Sequence, residues 1–215
     1  VDHPTAQYTS DIATMLGDRG ERFPAITASS HALHLMDQWL DATWYRPDAK
    51  SRLVTITLRE THTPTRNSNL ADWAKFGDEI KSEGWLPVFV PDTATIGGEY
   101  RPEFLPQCPL AAVDLDLRRA LYQLAKVNLG RMGGPMWLAL CMGAPALAFG
   151  ILAAPHTDAS GHKHFVPNAA YMARVGIPEG SQPRWLHANQ RLVWAPDDLD
   201  VIRAAFHEWV EHHGS

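Results

Sequence analysis

Hydrophobic positions along the chain fall into two alternating periods. From Ser30 onward Leu33, Met36, Leu40 and Trp44 recur at three- and four-residue steps, with Leu35 and Trp39 beside them. That spacing predicts a helix capped by Ser29 or Ser30 and ended before Pro47. Residues 53–58 then read L-V-T-I-T-L, a β-branched run entered from a polar segment and stopped at Arg59-Glu60, which predicts a strand. Helical spacing returns over residues 69–83, where Leu70, Trp73, Ala74, Gly77 and Ile80 share one face and Gly84 terminates it. A second apolar run over residues 86–90 closes at Pro91-Asp92. Residues 53–92 are therefore a βαβ unit with a right-handed crossover and a parallel strand pair.

Further along, residues 110–113 fit a short strand and residues 116–127 a helix with Leu117, Leu121, Leu124 and Ala125 inward, while residues 129–132 fit a strand or a turn. Residues 135–142 predict a buried helix opened by Pro135, where the missing amide is harmless, and ended by Gly143. A buried strand follows over residues 146–152 and a loop-rich stretch over 153–183. A terminal strand is predicted over 192–195, then a last helix capped by Asp197 or Asp198 and carrying Leu199, Ile202, Ala205, Phe206 and Trp209. Residues 1–26 read as irregular with one helical stretch near residues 11–16. The fold class is α/β: a Rossmann-like parallel sheet flanked by helices over residues 51–215, preceded by a helical extension or interdomain segment over 1–50.

Composition narrows the partners. The 215 residues are 45% hydrophobic, enough to bury a substantial core. With 19 basic against 24 acidic residues and a formal charge of -5, no global positive field exists to hold a polyanion, so nucleic acid is not an expected partner. No uncharged apolar stretch approaches the ~18 residues of a transmembrane helix. Cys108 and Cys141 lie far apart, which points to a reducing, cytoplasmic setting. The chain opens on Val1 with no charged region leading into an apolar one, and the expectation is of a chain trimmed from something longer.

In an open parallel sheet, ligands bind beyond the carboxyl ends of the strands, where loops feed helix N-termini whose free amides favour anions. The candidate residues follow from that rule. Gly133-Gly134-Pro135 stands before the buried helix, either as a plain tight turn or as a turn that lets a phosphate approach the backbone. Arg59 and Arg66 flank the loop after the first strand, either solvated or aimed at a diphosphate as bidentate, permanently charged donors. Asp92-Thr93 after the second strand either forms a turn or accepts ribose hydroxyls. No Gly-x-Ser-x-Gly elbow is present, and nothing in the spacing of Glu60, Asp92 or the other carboxylates selects a catalytic base.

Residues 128–151, N-L-G-R-M-G-G-P-M-W-L-A-L-C-M-G-A-P-A-L-A-F-G-I, resemble the nucleotide-sugar-binding segment of GT-B glycosyltransferases, particularly the bacterial heptosyltransferase-like group. In that group a small-residue turn enters a helix ending in Leu-Gly-x-Pro and an apolar strand, and Met142-Gly143-Ala144-Pro145 followed by residues 146–149 is similar to it. The strand with Arg59 and the elements leading to Pro91-Asp92-Thr93 also resemble the opening of the same C-terminal domain. The likeness extends over residues 50–211. It implies one half of a GT-B architecture, a nucleoside-diphosphate sugar as donor, a glycan or lipid-linked acceptor, inverting transfer without an obligate metal, and no cofactor. It further implies phosphate neutralisation by Arg59, Arg66 and helix amides, and backbone contacts at Gly133, Gly134, Pro135 and Met136. The chain departs from the pattern at Met132, where the family carries an acid, and at Trp137, where it carries a histidine, so those side-chain contacts do not transfer.

Two rival readings stand beside this one. A non-catalytic α/β binding or assembly module would keep the scaffold without the site. A metal-dependent hydrolase would use His156, His162 and His164, which share a loop with Asp158 but lack a helical His-Glu-x-x-His motif.

Overall fold

The L-V-T-I-T run forms β1 (Leu53–Thr57), and every one of its residues is buried. A strand is buried throughout only when both faces of its sheet are covered, and that is the arrangement here. In this computed structural model, which describes residues 26–44, 49–62, 64–98, 101–104, 106–150, 156–157, 163–164 and 177–214, the flanking elements are α1 (Ser30–Trp44), α2 (Leu70–Ser82), β2 (Leu86–Val90), α3 (Leu110–Val113), α4 (Leu115–Leu124), β3 (Val127–Arg131), α5 (Gly134–Cys141), β4 (Ala146–Phe149), β5 (His156–Thr157), β6 (Lys163–His164), β7 (Gln190–Leu192) and α6 (Leu199–His213). Five strands make one sheet in the order β2-β1-β3-β4-β7, with every neighbouring pair parallel. Strands β5 and β6 form a separate antiparallel pair.

Alternate residues of each strand enter different cores. Val54 and Ile56 join Val127, Leu129, Leu147 and Phe149 beneath α2 and α6, which supply Trp73, Phe76, Ile80, Ile202, Phe206 and Trp209. On the opposite face α1 and α4 pack through Met36, Leu40, Ala120 and Leu121 against Leu53, Val88 and Val90. The third cluster holds Met136, Ala139 and Leu140 of α5 with Ala146, Ala148, Trp185 and Leu192. Buried polar groups on this side satisfy one another, as they must away from water. Asn128 donates to the Tyr122 and Pro145 carbonyls and accepts from the Thr55 hydroxyl at 2.6 Å, and the Thr57 and Tyr122 hydroxyls meet at 2.7 Å.

Two expectations change and one is resolved. Residues 110–113 are helical, because the edge beside β2 is already filled. Phe89 N–H donates to the Pro106 carbonyl, and Cys108 N–H donates to that of Phe89. Ala111 and Ala112 face inward while Leu110 and Val113 are exposed, and Asp114 begins α4 by accepting from Asp116 and Leu117 N–H. Of the strand or turn expected at residues 129–132, the structure has the strand, Val127–Arg131. The last strand lies two residues earlier than its apolar pattern implied, with the Gln182 side-chain amide bonding both the N–H and the carbonyl of Leu192. The helical stretch near residues 11–16 lies outside the described residues.

Helices α2 and α6 brace each other through exchanged carboxylates. Asp197, just before α6, accepts from Asn69 N–H and Trp73 Nε1 of α2 and from Arg131 of β3, at 2.9, 2.8 and 2.5 Å. Asp72, in the first turn of α2, returns the bond by accepting from Leu199 N–H at 3.0 Å. The expected capping by Asp197 or Asp198 is thus replaced by capping from the neighbouring helix, and Asp198 makes no side-chain cap bond. Asp197→Ala would break the ion pair with Arg131, whose side chain is 11% exposed. Urea denaturation should show a loss of about 3–5 kcal/mol, the range for breaking a buried pair from one side.

Candidate functional site

The strand order reverses between β1 and β3. The chain passes outward from β1 to β2 and then returns to lay β3 on the other side of β1. Crossovers that leave on opposite faces open a crevice beyond the carboxyl ends of the two strands. A cavity of about 270 Å³ lies there. The end of β1 contributes Thr57 and Arg59, the loop after β2 contributes Asp92 and Thr93, and the turn after β3 contributes Arg131, Gly134 and Pro135. The first turn of α4 adds Arg118.

Arg59 is held in place by main chain. Its Nη1 donates to the Met132 carbonyl at 2.7 Å, and its own N–H donates to the Ser68 hydroxyl at 2.9 Å. A Cβ built on Gly133 would stand 2.6 Å from that Nη1, whereas one on Gly134 would meet nothing within 4 Å. Gly133 is extended, with φ at 175°, so its role is to leave room for a guanidinium rather than to adopt a special backbone. The glycine turn is therefore half occupied by an arginine and half open to the cavity. Burial, followed by the positive charges of Arg66 and Arg131, pulls the Arg59 guanidinium below its ordinary value, and Asp92 opposes the shift. Arginine stays charged throughout.

Arg131 crosses Gly150, where φ is +68° and a Cβ would stand 2.9 Å from its side chain, and pairs with Asp197. Arg118 donates from Nε to the Ala111 carbonyl at 2.6 Å and from Nη2 to that of Ala112 at 3.0 Å. Thus Arg131 faces a carboxylate, while Arg59 and Arg118 are anchored by neutral carbonyls and keep their charge available to the cavity. Arg66 ends a 3-10 turn, Pro64–Arg66, and acts on Arg59 through its field without lining the cavity.

The other predicted residues take distinct places. Asp92 accepts from Glu60 N–H and Ala94 N–H, both at 3.0 Å, tying the loop after β1 to the loop after β2 at the cavity wall. Thr93 lies beside it. Glu60 is turned away to Arg101 at 2.8 Å. Gly133 caps α5 without a side-chain bond, and Gly134 and Pro135 at the start of that helix line the cavity. The Met136 side chain is buried in the core and leaves only its main chain to that end of the helix. Burial raises both cysteine thiols above their ordinary value, opposite to the direction of an activated nucleophile.

Arg118 was missed in the sequence because one arginine in an amphipathic helix reads as solvated, and Asp197 was read only as a cap. Of the histidine group, His162 and Asp158 lie outside the described residues, while His156 and His164 are register partners across β5 and β6. Among the described residues no group of three histidine, cysteine, aspartate or glutamate side chains is placed to hold a metal. Also among them, no helix is long and apolar enough to cross a membrane.

No protein-family model and no curated protein sequence matches the chain. Solved structures do. The E. coli ADP-heptose LPS heptosyltransferase II superposes with a TM-score of 0.56 at 13% identity, over 89% of this chain and 55% of that one. Over the part it covers, this chain shares that structure's fold, an α/β, Rossmann-like parallel sheet flanked by helices. A glycosyl transferase family 9 structure from Veillonella parvula DSM 2008 also matches, with a TM-score of 0.48 at 14% identity over 60% of this chain and 37% of that one. The chain thus spans about half the length, or less, of these two structures.

Within this fold, residues 128–151 supply β3, the glycine turn, α5 and β4. At its two departures the chain uses other interactions. Met132 contributes its carbonyl to Arg59, and the Trp137 ring stacks on Trp185 with centroids 5.8 Å apart. Gly133→Ala should displace Arg59 from the Met132 carbonyl and lower stability by about 1 kcal/mol, the net worth of one such bond. Gly134→Ala enters open space at the start of a helix and should leave stability within about 1 kcal/mol of the parent. Parallel urea titrations check both.

Proposed function

We propose that this chain is the donor-binding half of a glycosyltransferase that takes a nucleoside-diphosphate sugar. The observation that carries the reading is the set of arginines gathered around one cavity at the reversal point of the sheet, beside the open N-terminus of α5. As the glycosidic bond to the sugar breaks, negative charge grows on the leaving diphosphate. Guanidinium groups already held in place stabilise that charge without reorganising at the moment of reaction. Arg59 faces the diphosphate, Arg66 adds its field from the rim, and the main chain of Gly134, Pro135 and Met136 presents the helix end. Asp92 and Thr93 stand where the ribose hydroxyls would lie. The reaction is an inverting transfer with no obligate metal and no cofactor, to a glycan or lipid-linked acceptor, in the cytoplasm.

Met132 and Trp137 favour a second reading, a binding module that holds the nucleotide without transfer, because an acid and a histidine are replaced by an apolar pair. Hydrolysis or transfer of a nucleotide sugar by the purified chain would exclude it.

Arg59→Ala is expected to weaken nucleoside diphosphate binding in titration calorimetry by roughly 10–100-fold, corresponding to about 1.5–3 kcal/mol for a charge-assisted contact. An unchanged affinity would remove Arg59 from the role. Binding to the folded state should also raise the melting temperature of the parent protein in the presence of the preferred nucleotide.

A further inference from the structure

The cavity receives guanidinium groups from three separate stretches of chain. Arg59 follows β1, Arg131 ends β3, and Arg118 stands in the first turn of α4, on the helix that leads into β3. Among the described residues Arg131 is the one of the three in an ion pair, with Asp197, while the Asp92 carboxylate at the cavity wall acts on Arg59 through its field. Arg118 is pinned by two carbonyls at the end of α3, through Nε and Nη2, which leaves Nη1 outside those bonds. Arg59 is pinned by the Met132 carbonyl and confined above Gly133. Neither group can swing toward the other without giving up its anchor. Each therefore addresses its own part of the cavity, and two fixed charges on separate anchors match two linked anionic groups better than one.

We propose that Arg118 is a specificity-determining residue that binds the second phosphoryl group, so that the site selects diphosphates over monophosphates. The inference rests on the reading of the cavity as a phosphate site and assigns each guanidinium its share of the ligand. Arg59, with the amides of α5, holds one phosphoryl group, and Arg118, braced by α3, holds the other. The neutral anchors matter here. A carboxylate partner would cancel the charge, whereas a carbonyl fixes the fork and leaves the charge for the ligand.

The test uses inorganic phosphate and inorganic pyrophosphate as probes, titrated into the whole chain at one ionic strength. The parent protein should bind pyrophosphate at least about tenfold more tightly than phosphate, the ratio expected from one added charge-assisted contact. Arg118→Gln should bring the two affinities within about threefold of each other by weakening pyrophosphate alone. Arg59→Ala should weaken both probes. If Arg118→Gln leaves the ratio at the parent value, or lowers both affinities equally as a loss of general field would, the assignment is wrong. If the parent protein binds neither probe, the phosphate-site reading fails as well, which separates the two failures. Should Arg118→Gln not fold, Arg118→Lys keeps the charge but loses the fork that grips both carbonyls. It should reduce the ratio at least about twofold, and a ratio equal to the parent's would overturn the proposal.

Discussion

The carboxylate of Asp197 holds the site and the core to one geometry. It is buried, and it receives Arg131 from the end of β3, the first N–H of the turn into α2, and the indole of Trp73. Trp73 in turn packs edge-on against Phe76 and Phe149, so the same residue that satisfies the carboxylate also centres the larger core. A buried charge is tolerated only when it is paired and its remaining lone pairs are bonded, and here the partners come from the end of β3 and the start of α2. The end of β3, the start of α2 and the start of α6 cannot shift independently.

That constraint explains how the arginines are kept close together with one of them, Arg131, in an ion pair. Arg131 is drawn down onto Asp197 across Gly150, which clears the space above it for Arg59 and for whatever enters the cavity. Arg59 and Arg118 are then fixed by carbonyls at the ends of short elements, the turn after β3 and the helical turn α3. Mutual repulsion among such groups is expressed in the lowered pKa of Arg59, whose causes after burial are Arg66 and Arg131. Like charges assembled in advance of an anion raise the energy of the empty site and are relieved when it fills, which is how a preorganised anion site gains affinity.

The scaffold protects its edges by means that leave the crevice free. One border of the sheet is closed by residues 106–108 along β2 and the other by the Gln182 amide along β7. Unpaired strand edges invite association with other chains, and both are blocked by local pairing rather than by extra strands. Gln190 adds a third use of an amide, donating to the Leu140 and Ala144 carbonyls and so closing the end of α5 against the start of β7. The carboxyl edge is thereby left as the face where loops converge.

By itself the sequence determined the class of the fold. The L-V-T-I-T run, the helical face of Leu70, Trp73 and Ile80, and the Gly143 stop are local signals, set by side-chain period and backbone freedom, and each lies where its pattern placed it. The glycine turn and Arg59 were legible for the same reason, since a strand end followed by arginine and a helix opened by Gly-Gly-Pro are short-range features. Tertiary structure alone decided the rest. Residues 110–113 became helical because residues 106–108 already occupied the edge beside β2, a pairing that no local pattern encodes. Gly133 turned out to make room for Arg59, and Asp197 acquired its place, through contacts spanning 73 positions for Arg59 and 66 to 128 for Asp197, while Arg118, held by carbonyls six and seven positions away, meets Arg59 and Arg131 at the cavity only in the folded sheet. Which charges share a cavity depends on the order of strands, and that order is fixed by how helices cover two faces at once rather than by any single segment.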